Sequence, residues 1–71
     1  MSYYYNNPSI EAEAIKRARE AATRNAQSKT TKELRDIVFN YLYMSGKTII
    51  DMIEEDVYNS EWQLRRMKER G

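Results

Sequence analysis

The strongly apolar side chains of this 71-residue chain are concentrated in its second half, between Leu34 and Met67. The first half carries mostly alanine, tyrosine and charged residues. A domain of this length seldom gains more than about 3 to 5 kcal/mol from its own core. Because apolar surface is so unevenly supplied, we expect one small domain that associates with itself or with a partner.

Two missing residue types narrow the chemistry that the sequence can support. It contains no cysteine and no histidine, which removes disulfides, thiolate nucleophiles and imidazole bases. We therefore expect neither an enzyme nor a cofactor or metal site. The sequence also shows no signal-peptide pattern and no run of roughly 18 apolar residues, so we expect a cytoplasmic protein with no membrane partner.

Helix signals divide the sequence into an arm and one helical domain. Residues 1–7, with Tyr3, Tyr4 and Tyr5, are predicted to be a flexible arm; the alternative is an arm that docks on another subunit or partner. The domain is predicted to span 8–71. Its first helix, 8–27, begins where Asn7 can cap and Pro8 can occupy the first helical position.

Capping patterns also mark the second and third helices. Thr30 followed by Glu33 is a capping box for a helix over 32–45, and Gly46 is expected to stop that helix in the left-handed conformation. Thr48 with Asp51 is a weaker cap for a helix over 48–69. We favour one continuous third helix, and the alternative is a break at Asn59–Ser60, where Ser60 and Gln63 could cap a short fourth helix.

The third helix carries a heptad-like apolar seam, and the second has two apolar sides. Phe39 and Tyr43 lie about 140° to 180° from Leu34 at 100° per residue. The predicted fold is all-α, with helices two and three as an antiparallel hairpin, assembled as a homodimer. The seam residues predicted for the dimer interface repeat at spacings of three and four: Ile50, Ile53, Val57, Leu64 and Met67.

One short motif resembles a known site. Gly46-Lys47-Thr48 matches the end of a phosphate-binding P-loop, but the earlier glycine is replaced by Tyr41, and so short a chain cannot supply the parallel sheet. We interpret the motif as a helix stop followed by a polar turn. Asp51, Glu54, Glu55 and Asp56 are interpreted as a solvated acidic face that could dock on a basic patch, rather than as a metal site.

We expect a non-enzymatic regulator or inhibitor that docks on a larger cytoplasmic protein, of the kind that phages and mobile elements often encode. Trp62 is either an interface anchor or a cover for the alanine face of helix one. The residues predicted to bind the partner are Phe39, Tyr43, Trp62, Asp51, Glu54, Glu55 and Asp56.

The alternative function is a small dimeric nucleic-acid-associated protein. It would use basic residues of helix one and of the C-terminus, where aromatic and guanidinium groups could stack bases and hold phosphates. The acidic face of helix three would repel phosphates, which weighs against a helix-turn-helix mode of DNA binding. The C-terminal residues predicted for this alternative are Arg65, Arg66, Lys68 and Arg70.

Overall fold

The computed structural model describes residues 8–70, with side chains from 11 to 69. These residues form three helices, α1 (Pro8–Ser28), α2 (Thr31–Tyr43) and α3 (Ile49–Arg70). The prediction of an all-α protein is confirmed for this part of the chain. The predicted arm over 1–7 lies outside the described residues, as does the Asn7 cap.

The start of α2 follows the predicted capping box. The Glu33 amide donates to the Thr30 hydroxyl at 3.1 Å, and the Thr30 amide donates to the Glu33 carboxylate at 2.9 Å. The two hydrogen bonds are reciprocal, and they satisfy two backbone amides at the start of α2 that have no carbonyl partner within the helix. The hydrogen bonds from the Thr30 amide and hydroxyl stabilise the ionised carboxylate, which lowers the pKa of Glu33.

We expect Thr30→Ala to lower the free energy of unfolding by about 1 kcal/mol, because the first turn of α2 loses a hydrogen-bond acceptor. Urea unfolding followed by circular dichroism measures this change. The matched control is Thr23→Ala, at an exposed position within α1, which should change stability by less than about 0.5 kcal/mol. Equal losses in the two variants would contradict a capping role for Thr30.

The end of α2 differs from the prediction. The helix stops at Tyr43, two residues before the predicted end, because Met44 is extended and its amide donates to the Tyr41 carbonyl at 3.2 Å. Gly46 does adopt a left-handed conformation, with φ of 68°, but it lies within the turn that leads to α3. The glycine therefore redirects the chain after α2 has ended.

The start of α3 is capped more completely than the sequence indicated. The Thr48 amide donates to the Asp51 carboxylate at 3.0 Å, and the Asp51 amide donates to the Thr48 hydroxyl at 3.1 Å. From Ile49 the helix then runs without interruption through Asn59 and Ser60. The alternative with a fourth helix is therefore wrong, and apolar residues keep one helical phase along all of α3.

The core lies where α3 packs against both α1 and α2. The contribution of α1 to the buried set consists of alanine, whereas α2 and α3 supply larger side chains. Ala18, Ile37, Tyr41 and Trp62 are partly buried and pack against this core. The buried apolar residues are Ala22, Ala26, Leu34, Val38, Ile53, Val57 and Tyr58.

The order of contacts shows how the helices run. Arg19 pairs with Asp56 at 3.2 Å, and the Ala26 carbonyl accepts from Arg65 at 3.1 Å, so residue numbers in α1 and α3 rise together. Between α2 and α3 the order is reversed: the Thr31 hydroxyl bonds to Glu69 at 3.4 Å, and the Tyr41 hydroxyl bonds to Glu54 at 3.1 Å. Arg19 lies about half-way along α1, so these contacts fix the order of the second half of that helix.

None of the three described helices combines the length and the apolar character that crossing a lipid bilayer requires.

Candidate functional site

Most of the exposed apolar side chains lie beside the α2–α3 turn, residues 44–48. Among residues 11–69, ten large apolar side chains are at least 39% exposed. Four of them lie away from the α2–α3 turn: Ile15, Phe39, Leu64 and Met67. Exposed large apolar side chains that form a patch on a small protein are typical of an interaction site, and the remaining six lie close together along the chain. We call these six the turn-end surface: Leu42, Tyr43, Met44, Ile49, Ile50 and Met52.

The aromatic residues predicted to bind a partner are exposed to different degrees. Tyr43 is 89% exposed, whereas Phe39 is 44% exposed and packs edge-on against Trp62 with ring centroids 5.9 Å apart. The guanidinium group of Arg66 lies over the Trp62 ring, 5.0 Å from its centroid. The described ring contacts of Trp62 are thus with Phe39 of α2 and with Arg66 of its own helix. Of the three aromatic residues predicted to bind a partner, Tyr43 and Phe39 are the exposed ones.

The four acidic residues of α3 that were predicted to bind a partner all have partners within the chain. Their partners come from α1, from α2 and from the α2–α3 turn, which the spacing of acidic residues alone could not reveal. These contacts give the four carboxylates roles within the fold, and their role as a docking surface for a basic partner stays a prediction. The contacts join Asp51 to the Thr48 amide, Glu54 to the Tyr41 hydroxyl, Glu55 to Lys47 at 2.8 Å, and Asp56 to Arg19.

The Tyr41–Glu54 hydrogen bond lies partly buried between α2 and α3. The Tyr41 ring stacks on the Tyr58 ring with centroids 6.3 Å apart. Burial disfavours the phenolate, and the hydrogen bond that Tyr41 donates to Glu54 further favours the neutral phenol. Both effects raise the pKa of Tyr41 well above its ordinary value of 10.0.

We expect the free energy of unfolding to fall as the pH rises above about 10, because the unfolded chain then loses the Tyr41 proton while the folded chain retains it. Below that pH this contribution is fully present. Urea unfolding at a series of alkaline pH values should show a shallower pH dependence for Tyr41→Phe than for the wild type. The control is Tyr43→Phe at the exposed position; an unchanged slope in Tyr41→Phe would contradict the prediction.

The basic residues predicted to bind nucleic acid differ in their surroundings within the part of the chain that the structure describes. Arg65, 21% exposed, donates to the carbonyls of Ala26 at 3.1 Å, Gln27 at 3.2 Å and Lys29, and pairs with Glu61 at 3.1 Å. Arg66 lies on Trp62 and Lys68 is exposed. The side chain of Arg70 lies outside those described. The acceptors of Arg65 are the last carbonyls of α1 and its connection, which have no partner within the helix.

This capping role of Arg65 was missed at the level of sequence. The last turn of α1, which lies within the described part of the chain, has no basic residue of its own. That gap is the signal that could have pointed to a donor from elsewhere, because helix carbonyl ends attract cations. The sequence does not show which of the C-terminal arginines reaches it.

The seam predicted for the dimer interface is divided by the structure. Ile53 and Val57 are 7% and 9% exposed and belong to the core of the protomer, so they are not available to a second copy. Ile50, Leu64 and Met67 remain 44% to 67% exposed. The correction has a simple cause: a heptad pattern identifies the buried side of a helix but not whether its own chain covers it.

The Gly46-Lys47-Thr48 motif has a structural role at each position. Gly46 makes the turn, Lys47 pairs with Glu55, and Thr48 caps α3. These contacts support the interpretation of the motif as a polar turn. Among the described residues, no group of three acidic side chains is placed to hold a metal ion.

The chain matches no protein-family model, and comparisons with curated proteins and with solved structures found no similar chain. Its surfaces and internal contacts are therefore the basis for a functional proposal.

Proposed function

We propose that this protein is a small non-enzymatic regulator or inhibitor that docks on a larger cytoplasmic protein. The turn-end surface carries this proposal, because its six large apolar side chains are each 41% or more exposed. Binding energy at protein interfaces concentrates in a few well-packed apolar and aromatic side chains. Tyr43, which is 89% exposed, is the strongest candidate for such an anchor. An origin in a phage or mobile element remains part of the proposal by analogy of size alone.

The proposed contact depends on apolar burial more than on charge. Asp51 and Glu55 lie next to the turn-end surface in sequence, and both have partners within the chain. Screening by salt weakens exposed charge pairs but affects apolar contacts little. We therefore propose a partner that offers an apolar pocket, with a binding constant that changes little with salt.

Self-association is the second part of the proposal. The reversed order of contacts between α2 and α3 supports an antiparallel hairpin, and Ile50, Leu64 and Met67 remain exposed along α3. A symmetric dimer would use the same patch on both copies. Light scattering over a dilution series tests this part; twice the monomer mass supports it, and a monomer at every concentration would contradict it.

We expect immobilised protein to retain a partner from a native lysate and the double variant Leu42→Ser, Tyr43→Ser to lose it, because both replaced side chains are exposed. Mass spectrometry identifies what is retained. The matched control is Arg35→Ser, an exposed position on α2. Retention that is equal in the two variants, or retention of nucleic acid that disappears with salt, would count against the turn-end surface.

A further inference from the structure

A groove of about 230 Å³ lies between α1 and α3. It is lined by Ala26 and Val57, which are buried, and by Thr23 and Ser60, which are exposed. Leu64, which is also exposed, lines the groove from α3. The groove therefore offers mainly uncharged side chains to whatever packs against it.

The charged residues that line the groove are paired within the chain. Arg19 pairs with Asp56 at 3.2 Å, and Glu61 pairs with Arg65 at 3.1 Å. A further charge brought into the groove would lose its water there without gaining a partner of its own. An apolar side chain is therefore the occupant that this groove favours.

Helix α3 itself presents apolar side chains of the kind that could fill such a groove. Leu64 and Met67 are 51% and 67% exposed. At 100° per residue, both lie within about 80° of Asp56 and Ser60 around the helix axis, and these two residues line the groove. The exposed leucine thus lies one helical turn beyond Ser60 on the side of α3 that borders the groove.

An antiparallel pair of α3 helices brings these side chains and the groove together in both copies at once. When Leu64 of one copy lies opposite Ser60 of the other, the same alignment places Met67 opposite Val57. A two-fold axis repeats each of these contacts. Each leucine then enters a hole between side chains of the facing helix, as in a coiled coil.

The distribution of charge along α3 favours the antiparallel direction. Residues 51–56 contain four acidic side chains and no basic one, whereas residues 65–70 contain four basic side chains and one acidic one. In the alignment described above, residues 54–56 of one copy are level with residues 68–70 of the other. A parallel pair would instead set like charges side by side, which is unfavourable.

We propose that the groove between α1 and α3 holds Leu64 of a second copy of this chain, in an antiparallel two-fold dimer. This inference rests on the self-association in the proposed function and names the residues that make its contact. The turn-end surface is separate, because none of its six residues lines the groove. The dimer contact and the contact with a larger protein therefore use different side chains.

Exchanging the leucine and the serine tests this alignment in the full chain. We expect Leu64→Ser to raise the dissociation constant of the dimer about tenfold or more, because a central apolar contact is lost. Ser60→Leu should raise it too, because the added side chain fills the space that Leu64 of the second copy needs. The double variant Ser60→Leu, Leu64→Ser restores one large and one small residue at each contact, so its dissociation constant should return to within about threefold of the wild-type value. Sedimentation equilibrium measures all four proteins.

Leu42→Ser is the matched control, because Leu42 is exposed but does not line the groove, and it should leave the dissociation constant unchanged. All three substituted positions are exposed, so the helices should remain folded, which circular dichroism checks. A double variant that dimerises no more tightly than the single variants would overturn the alignment. A dimer that Leu64→Ser does not weaken would overturn the groove contact while self-association stands, whereas a monomer at every concentration would overturn both.

Discussion

Replacing Leu34 with alanine is expected to unfold a large fraction of the protein at 25 °C. Among the described side chains, Leu34 is the largest that is fully buried, with 0% exposure. A buried leucine replaced by alanine costs about 2 to 5 kcal/mol, through lost burial and the cavity that remains. Because a domain of this size has only about 3 to 5 kcal/mol available, the loss approaches its whole stability.

Leu42→Ala is the matched control for this prediction. It is the same substitution in the same helix, but Leu42 is 60% exposed, so the expected loss is below about 0.5 kcal/mol. Urea unfolding followed by circular dichroism compares the variants, with ellipticity in the absence of urea reporting the fraction folded. If the two variants are equally stable, the core does not centre on Leu34.

The second large effect is expected for Arg65→Gln, which should lower the free energy of unfolding by about 1.5 to 3 kcal/mol. Hydrogen bonds from a charged group have this magnitude, and Arg65 supplies donors to the carbonyls of Ala26, Gln27 and Lys29. Without the guanidinium, these carbonyls lose the donor that joins the end of α1 to α3. Urea unfolding again provides the measurement.

Arg66→Gln separates the loss of these hydrogen bonds from the loss of one positive charge. Arg66 is exposed and lies 5.0 Å from the Trp62 ring centroid, so its removal should cost less than about 1 kcal/mol. Arg65→Lys keeps the charge but not the planar fork, and its stability should fall between those of the wild type and Arg65→Gln. Equal losses for Arg65→Gln and Arg66→Gln would show that net charge, and not capping, explains the effect.

The parts of the fold that the sequence predicted are those specified by neighbouring residues. The Thr30–Glu33 and Thr48–Asp51 pairs each lie three residues apart, so both caps can be read from spacing alone. The end of α2 was misplaced because Met44 becomes extended before Gly46 is reached. A glycine marks a left-handed position, but it does not say how many residues earlier the helix ends.

The parts that could not be predicted depend on which helices come together. Asp56 pairs with Arg19 and Arg65 reaches Ala26 across separations of more than thirty residues. In the sequence such residues form only a local acidic or basic cluster, which is typical of a solvated surface. The sequence therefore could not show that the charged residues predicted to bind a partner also contact other parts of the chain, and the proposed contact surface rests on exposed apolar residues near the turn instead.

The alanines of α1 have a consequence for which substitutions the domain can accept. Ala22 and Ala26 are 2% and 1% exposed, so the spacing between two helices is set there by methyl groups. A bulkier side chain at either position would act as a wedge, and close-packed interiors do not absorb an added methylene without strain. Variation in this protein is therefore constrained at two of its smallest residues as well as at its largest buried one.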